Sequence, residues 1–330
     1  YYPLWHLEVE DLLVLKNNKG TEDNRVRHMD YGVQFNKLMY ERLMSGGNIT
    51  LFSPHDVPGL YDAFFADQDE FKRLYEQAER KTSIRKKVIS ATELFSAFMQ
   101  ERKDTGRIYL QNVDHANEHS SFKTEVAPIK QSNLCCEIDL PTKPLNDIND
   151  PNGEIALCTL SAVNWGSFKN PEDMEKACTL AVRGLDALLS YQNYPIIAAQ
   201  MATENRRPLG VGIINLAFFL AKNDVSYSNP DALKLVDTWA QHWSYYLIKA
   251  SADLAVEFGA CPKNNETKYS DGVLPLDTYK KDVDELVVHI DCVDWTGLRA
   301  QLRETGIRNS TLMALMPAET SAQISNSTNG

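Results

Sequence analysis

The sequence predicts an α/β protein. Helical and strand-like patterns alternate along the chain, and the strand-like runs are short and rich in apolar or β-branched residues. The stretches between them are long enough to serve as the crossovers that parallel strands need. The 330 residues suffice for one large domain or two medium ones. Hydrophobic residues at 43 % and charged residues at 24 % are enough to build a real core. No internal repeat or low-complexity linker interrupts the chain, so a single domain over 1–330 is expected.

Taken in order, 27–44, 68–79 and 91–102 read as helices and 49–52 and 107–110 as strands. Residues 111–152 carry little periodicity, and a long irregular stretch inside a compact domain is uncommon and often functional. A strand is expected over 154–163. The helix that follows, 170–192, has Asn170 as cap, Pro171 in its first turn and an apolar stripe of Met174, Cys178, Ala181, Leu185 and Leu188. A longer helix runs over 230–258 with Leu235, Trp239, Trp243, Tyr246, Ala250 and Leu254 on one side and Gly259 as a left-handed cap. Helix 295–305 and strand 311–315 complete the pattern.

Composition excludes several functions. The net charge of −11 argues against nonspecific nucleic-acid or membrane binding, which wants Lys and Arg. The local basic cluster Arg80, Lys81, Arg85, Lys86 and Lys87 reads as a solvated face. Six cysteines at 135, 136, 158, 178, 261 and 292 form neither a CxxC zinc pattern nor a small-domain disulfide framework, so a reduced, cytoplasmic protein is expected. No signal peptide opens the chain, and no apolar run is long enough to span a bilayer. The sequons at Asn48, Asn265, Asn309 and Asn326 are therefore expected to stay unmodified. The chain begins at Tyr1 and stops at Gly330 without a polar tail, which reads as a fragment or one half of a split protein.

Three places could carry chemistry. In Ser132-Asn133-Leu134-Cys135-Cys136-Glu137, an extended backbone would put Asn133, Cys135 and Glu137 on one face and turn Cys136 away. Amide, thiol and carboxylate could then meet one small substrate in nucleophilic, acid–base or radical chemistry; the bland reading is a loop with a buried cysteine. Cys158 would share a strand face with Ala156, Leu160 and Ala162 as a core residue, unless a second thiol nearby makes it one of a two-electron pair. Residues 315–321 place Glu319, Thr320 and Ser321 where a strand enters a helix, a natural phosphate site, although the Glu319 charge is awkward there. Gly210-Val211-Gly212 lacks the third glycine of a dinucleotide fingerprint and reads as packing, and no P-loop is present. His115 and His119 could share a helix face, but HExxH is absent, so metal binding is not expected. Cys178 reads as core; Cys261 and Cys292 have no evident partner.

These features, in this order, resemble the large, catalytic subunit of class Ia ribonucleotide reductases. The likeness covers the whole chain: 5–10 (WHLEVE), 51–58 (LFSPHDVP), 106–109 (GRIY), 132–135 (SNLC), 154–158 (EIALC), 306–311 (GIRNST) and 319–326 (ETSAQISN). The resemblance implies a ten-stranded α/β barrel of two five-strand halves with Cys135 at the tip of a central finger loop. It implies that Cys135 becomes a thiyl radical and abstracts the 3′ hydrogen of a ribonucleoside diphosphate. S–H and ribose C–H bonds are similar in strength, so that step is reversible. Glu137 would take the 3′-hydroxyl proton, Asn133 would hold the substrate, and Cys158 would be one of two thiols supplying electrons as the 2′ hydroxyl leaves as water. Glu319, Thr320 and Ser321 would lie at the diphosphate. Ala318 departs from an expected serine, and Cys136 stands where an apolar residue is more usual.

The resemblance also implies what this chain would lack. The partner of Cys158, the ATP-binding regulatory region and the specificity-effector loops would lie upstream. The radical-relay tyrosines and the re-reducing cysteine pair would lie downstream. The implied partners are a metal-containing, radical-generating small (beta) subunit, a second large subunit in a homodimer, and thioredoxin or glutaredoxin as reductant. No cofactor would be bound by this chain itself, and alone it is expected to be inactive. Two other readings differ in class: a non-catalytic structural half of a split reductase, and a thiol hydrolase using Cys135. The last needs a histidine base, and none lies within fifteen residues of Cys135 on either side.

Overall fold

The computed structural model describes residues 1–286 and 289–329, and these form two compact units. The first comprises 1–120 and 124–139; the second comprises 121–123 and 140 onward. Seven strands are described: β1 (Tyr2–Pro3), β2 (Tyr31–Phe35), β3 (Asn48–Phe52), β4 (Lys86–Ser90), β5 (Ile108–Asn112), β6 (Leu160–Asn164) and β7 (Gly210–Ile214). With helices between most of them, the α/β class is as the sequence predicts. The described strands pair in three separate sheets.

In the first unit β1, β2 and β5 form a parallel sheet with β2 in the middle. All five β2 residues are buried. A strand covered on both faces shows no alternation, which is why 27–44 read as one helix. The helix proper is only Lys37–Met44, and the Asn36 side chain accepts from the Met39 amide at its start. β3 pairs antiparallel with β4, a strand hidden in sequence behind the basic cluster. Arg80, Lys81, Arg85 and Lys87 are exposed as expected, but Lys86 is half-buried and its ammonium caps the Lys81 carbonyl. The unit's core is aromatic: Trp5, Phe35, Phe52, Phe64, Phe71 and Phe98 are almost fully buried.

The second unit is built on β6 and β7, paired parallel with Leu160 opposite Gly210. The chain near Met313 continues this arrangement through a parallel bridge to Val211. A Cβ on Gly212 would stand 2.7 Å from the Ala314 carbonyl oxygen and 2.7 Å from the Met316 sulfur. Gly212 is thus a close-approach glycine, in line with the packing reading.

Helix Glu175–Tyr191 packs on β6, Pro230–Phe258 packs on that helix, and Trp295–Thr305 packs on Pro230–Phe258; the last two have the expected bounds. The first begins later than expected, after a 3₁₀ turn over Pro171–Met174. Its buried stripe is Cys178, Val182, Leu185 and Leu189; Leu188 is half exposed and Ala181 only partly covered. Gly259 has φ +84° but ψ 151°, so it ends its helix on an extended residue rather than a left-handed cap. Inside the stretch read as irregular, Val113–His119 is helical, and the rings of His115 and His119 lie 5.6 Å apart. Among the described residues no group of His, Cys, Asp and Glu could hold a metal ion, and no helix is long and apolar enough to cross a membrane.

Candidate active site

In the first unit the end of the parallel sheet holds one irregular loop. Gln34 on β2 and Gln111 on β5 are register partners, and both are buried. A buried amide must find partners. Gln34 Nε2 donates to Gln111 Oε1 at 2.8 Å and to the Lys130 carbonyl at 2.6 Å. Gln111 Nε2 in turn reaches Asp139 Oδ1 at 3.4 Å. Ser132 and Asp139 then face each other across an antiparallel bridge. The loop from 130 to 139 is therefore fastened at its base by two strand-end glutamines.

The tip is a tight turn, not the extended run expected from alternation. The Cys136 amide donates to the Asn133 carbonyl at 3.2 Å, and Cys136 takes a left-handed φ of +61°. Asn133 Oδ1 accepts from the amides of Glu137 at 3.1 Å and Ile138 at 3.3 Å. A short polar side chain that bonds its own downstream backbone is a turn-maker. That bonding pulls 133–138 out of a strand.

The turn still gathers the three residues. Cys135 is exposed and has no disulfide partner, rather than being a buried loop cysteine. Partial desolvation of its sulfur and, after it, the nearby Glu137 charge push its thiol pKa up, so it is a protonated S–H near neutral pH. Glu137 Oε2 is buried and has no hydrogen-bond partner. An orphaned buried acceptor is costly and marks a place for a donor to arrive. Among the described residues no histidine is bonded to Cys135, so the imidazole base of a thiol hydrolase is not at this turn.

Two tyrosines escaped the sequence reading. The Tyr1 hydroxyl donates to the Asn133 carbonyl at 3.2 Å, and its ring lies where a Gly32 Cβ would be, 2.5 Å from Cε1. The Tyr109 hydroxyl is pushed up by burial and by the charges of Cys135, Cys136 and Glu137, among others. The alternation of β5 could have suggested Tyr109, since Gln111 lies two residues on along the same face.

In the second unit, Cys158 is not in a strand. β6 begins only at Leu160, and Cys158 precedes it as an exposed residue, not a core one. The run from 154 is fastened by charge. Glu154, almost fully buried, receives Arg206 Nε at 2.8 Å, the Lys263 ammonium, and the Lys143 ammonium at 3.3 Å. Burial pulls the Glu154 carboxyl up, but hydrogen bonds and charge from Arg206 and Lys263 outweigh it and hold it at about 2. Three residues past Ile155, whose amide bonds the Ala198 carbonyl at 3.3 Å, the Cys158 side chain faces solvent. Glu319, Thr320 and Ser321 form the exposed first turn of the helix Glu319–Ile324. Ala318 at its start is buried and has no side-chain acceptor, so the opening amides of the helix are left uncapped.

The fold and the turn together define an α/β protein that displays an accessible, protonated thiol two residues from a carboxylate. The chain belongs to the ribonucleotide reductase barrel-domain family, whose model matches residues 1–330. It is 62 % identical over its full length to the ribonucleoside-diphosphate reductase subunit alpha of Haemophilus influenzae, covering 44 % of that protein. It is likewise 62 % identical to ribonucleoside-diphosphate reductase 1 subunit alpha of Escherichia coli, covering 43 % of it, and 53 % identical to the alpha subunit of enterobacteria phage T4, again over 43 %. The chain thus spans less than half the length of these curated relatives.

Proposed function

We propose that this chain supplies the substrate-reducing centre of a ribonucleoside-diphosphate reductase and works only when completed by further polypeptide and a small subunit. The observation that carries the reading is the turn itself: an exposed protonated Cys135 two residues from a buried, unpartnered Glu137 oxygen. Hydrogen-atom transfer needs an S–H bond, and deprotonating a ribose hydroxyl needs a free carboxylate oxygen. A metal-containing beta subunit supplies the oxidising equivalent that makes Cys135 a thiyl radical. Cys135 then takes the 3′ hydrogen of a ribonucleoside diphosphate. Glu137 accepts the 3′-hydroxyl proton, and the 2′ hydroxyl leaves as water. Cys158 and a thiol outside this chain give up two electrons and two hydrogens and become a disulfide, which thioredoxin or glutaredoxin reduces, and Cys135 returns the hydrogen to C3′ and is a thiyl radical again.

Asn133 takes a double part in this scheme. Its side-chain oxygen is engaged by the turn, and its amide nitrogen is the end that reaches the substrate. Glu319, Thr320 and Ser321 bind the diphosphate with their hydroxyls and the uncapped helix start, with Glu319 turned aside. The setting is the cytoplasm, where these thiols stay reduced, and the working large subunit is a homodimer regulated by nucleotides that bind outside residues 1–330.

The test is Cys135→Ser in the completed enzyme with its small subunit, beside the 330-residue chain alone. Reduction of nucleoside diphosphate should vanish in the variant while substrate affinity changes by less than about twofold, and the isolated chain should show no turnover. Turnover by the serine variant, or by the isolated chain, would overturn the reading.

A further inference from the structure

Cys136 has no place in the proposed reduction, yet the turn sets it beside Cys135 in an unusual way. Both thiols are exposed and neither is bridged. In an extended chain two successive side chains would point to opposite faces. Here the Asn133–Cys136 turn and the left-handed Cys136 break that alternation. The Tyr1 hydroxyl donates to the Asn133 carbonyl at 3.2 Å and so lies against the same turn. The two thiols are thus consecutive, accessible groups on one exposed turn rather than on opposite faces of a strand.

What such a pair can do is limited by its spacing. Successive α-carbons stand about 3.8 Å apart across a trans peptide. Ordinary disulfides span about 4.4–6.8 Å between α-carbons, so a direct bond between Cys135 and Cys136 is strained and easily reduced. One additional atom between the sulfurs relieves that strain.

We propose that Cys135 and Cys136 form a chelating dithiol for a trivalent, thiophilic centre, of the class of trivalent organoarsenicals. The step balances without an oxidant. An arsenical R–As=O meets the two S–H groups; both S–H bonds and the As=O bond break, two As–S bonds form, and the two protons leave with the oxygen as one water. Arsenic stays trivalent and no residue is oxidised. The site goes beyond the reductase reading and does not depend on it, since it needs only two accessible thiols. Its occupation removes the S–H of Cys135, so in a working reductase it would be an inhibitory site.

The experiment titrates the reduced, intact 330-residue chain with phenylarsine oxide and follows intact mass, remaining thiols and the modified peptide. One equivalent should bind first. Two thiols should disappear together and map to 135 and 136, with release by a small dithiol but not by a monothiol. Losing one arm of a two-point contact costs about 10²-fold or more in affinity. Cys136→Ala should therefore weaken binding by about that factor, whereas Cys158→Ala should leave it unchanged. Cys136→Gly, which suits the left-handed backbone, provides a second variant should alanine disturb the turn. Unchanged tight binding in both Cys136 variants, or mapping of the arsenic to Cys158 or Cys292, would overturn the proposal.

Discussion

The backbone around Cys135 is held mainly by neutral hydrogen bonds, with the Asp139 carboxyl as one titratable acceptor, whereas the backbone leading to Cys158 is held by buried charge. Gln34, Gln111 and Asn133 fasten the first with amide groups, and Tyr1 adds a hydroxyl. Arg206, Lys263 and Lys143 converge on Glu154 to fasten the second. Each neutral bond contributes only about 0.5–1.5 kcal/mol net, but it does so at every pH where the protein is folded. The ionic clamp is all-or-none: complete, it offsets its desolvation; broken, it leaves stranded charges in a dry place.

The largest effect should come from breaking the clamp. Glu154→Gln keeps the shape and removes the charge, leaving Arg206, whose side chain is 3 % exposed, with one carboxylate partner, Glu266 at 2.7 Å, in place of two. Unfolding of the second unit in denaturant should become easier by about 3 kcal/mol, the lower end for a broken buried pair because Glu266 remains. The Glu154 carboxyl is held at about 2, below its ordinary value of 4.5, so its contribution is fully present above about 4.5 and is lost as pH falls towards about 2. The wild-type chain should lose this stability across that window, and Glu154→Gln should not. A variant as stable as the parent at neutral pH would show that charge is not what holds this segment.

A smaller loss is expected on the neutral side. Gln34→Leu leaves Gln111 Oε1 and the Lys130 carbonyl without their donor. Of these two acceptors only Gln111 Oε1 is fully buried, and stranding it costs about 1–3 kcal/mol, a loss that should be local to the loop. Hydrogen exchange of the Glu137 and Ile138 amides should speed up by tenfold or more, while the Thr50 amide, bonded to the Tyr75 hydroxyl at 2.7 Å, stays as protected as before. Equal acceleration at both places would mean that the glutamines support the whole unit rather than the loop.

The comparison also explains what could be read from sequence. Long amphipathic helices were legible: Pro230–Phe258 and Trp295–Thr305 have the bounds expected from period and caps. Short elements were not. β2 is buried on both faces and so hides its period, and β4 begins inside a basic cluster. Cys135, Asn133 and Glu137 were legible as a group because they are close in sequence, but their arrangement was not. Alternation assumes a strand, and the Asn133 side chain takes the backbone into a turn instead. Gln34, Gln111, Tyr1 and Tyr109 went unseen because each meets the loop only through the fold. Cys158 was misplaced for a related reason: 154–163 has strand composition, but the clamp at Glu154 and the late start of β6 leave the cysteine outside the ladder.

The smallest expected effect bears on the chemistry of the turn directly. Partial desolvation of the sulfur, and after it the Glu137 carboxylate, raises the Cys135 thiol above the usual cysteine value. A thiolate is the form that iodoacetamide alkylates, so the rate at Cys135 should climb with pH along a curve displaced upward from that of a free cysteine. Glu137→Gln removes the repelling charge but keeps the desolvation. The curve should therefore move only part of the way back, because desolvation is the larger cause. Peptide-resolved alkylation across pH 7–10 measures the displacement of each form. A curve that returns fully to the free-thiol position would make Glu137 alone responsible. A curve that does not move would separate the carboxylate from the thiol, and with it remove the pairing that the proposed hydrogen-atom and proton transfer at one ribose requires.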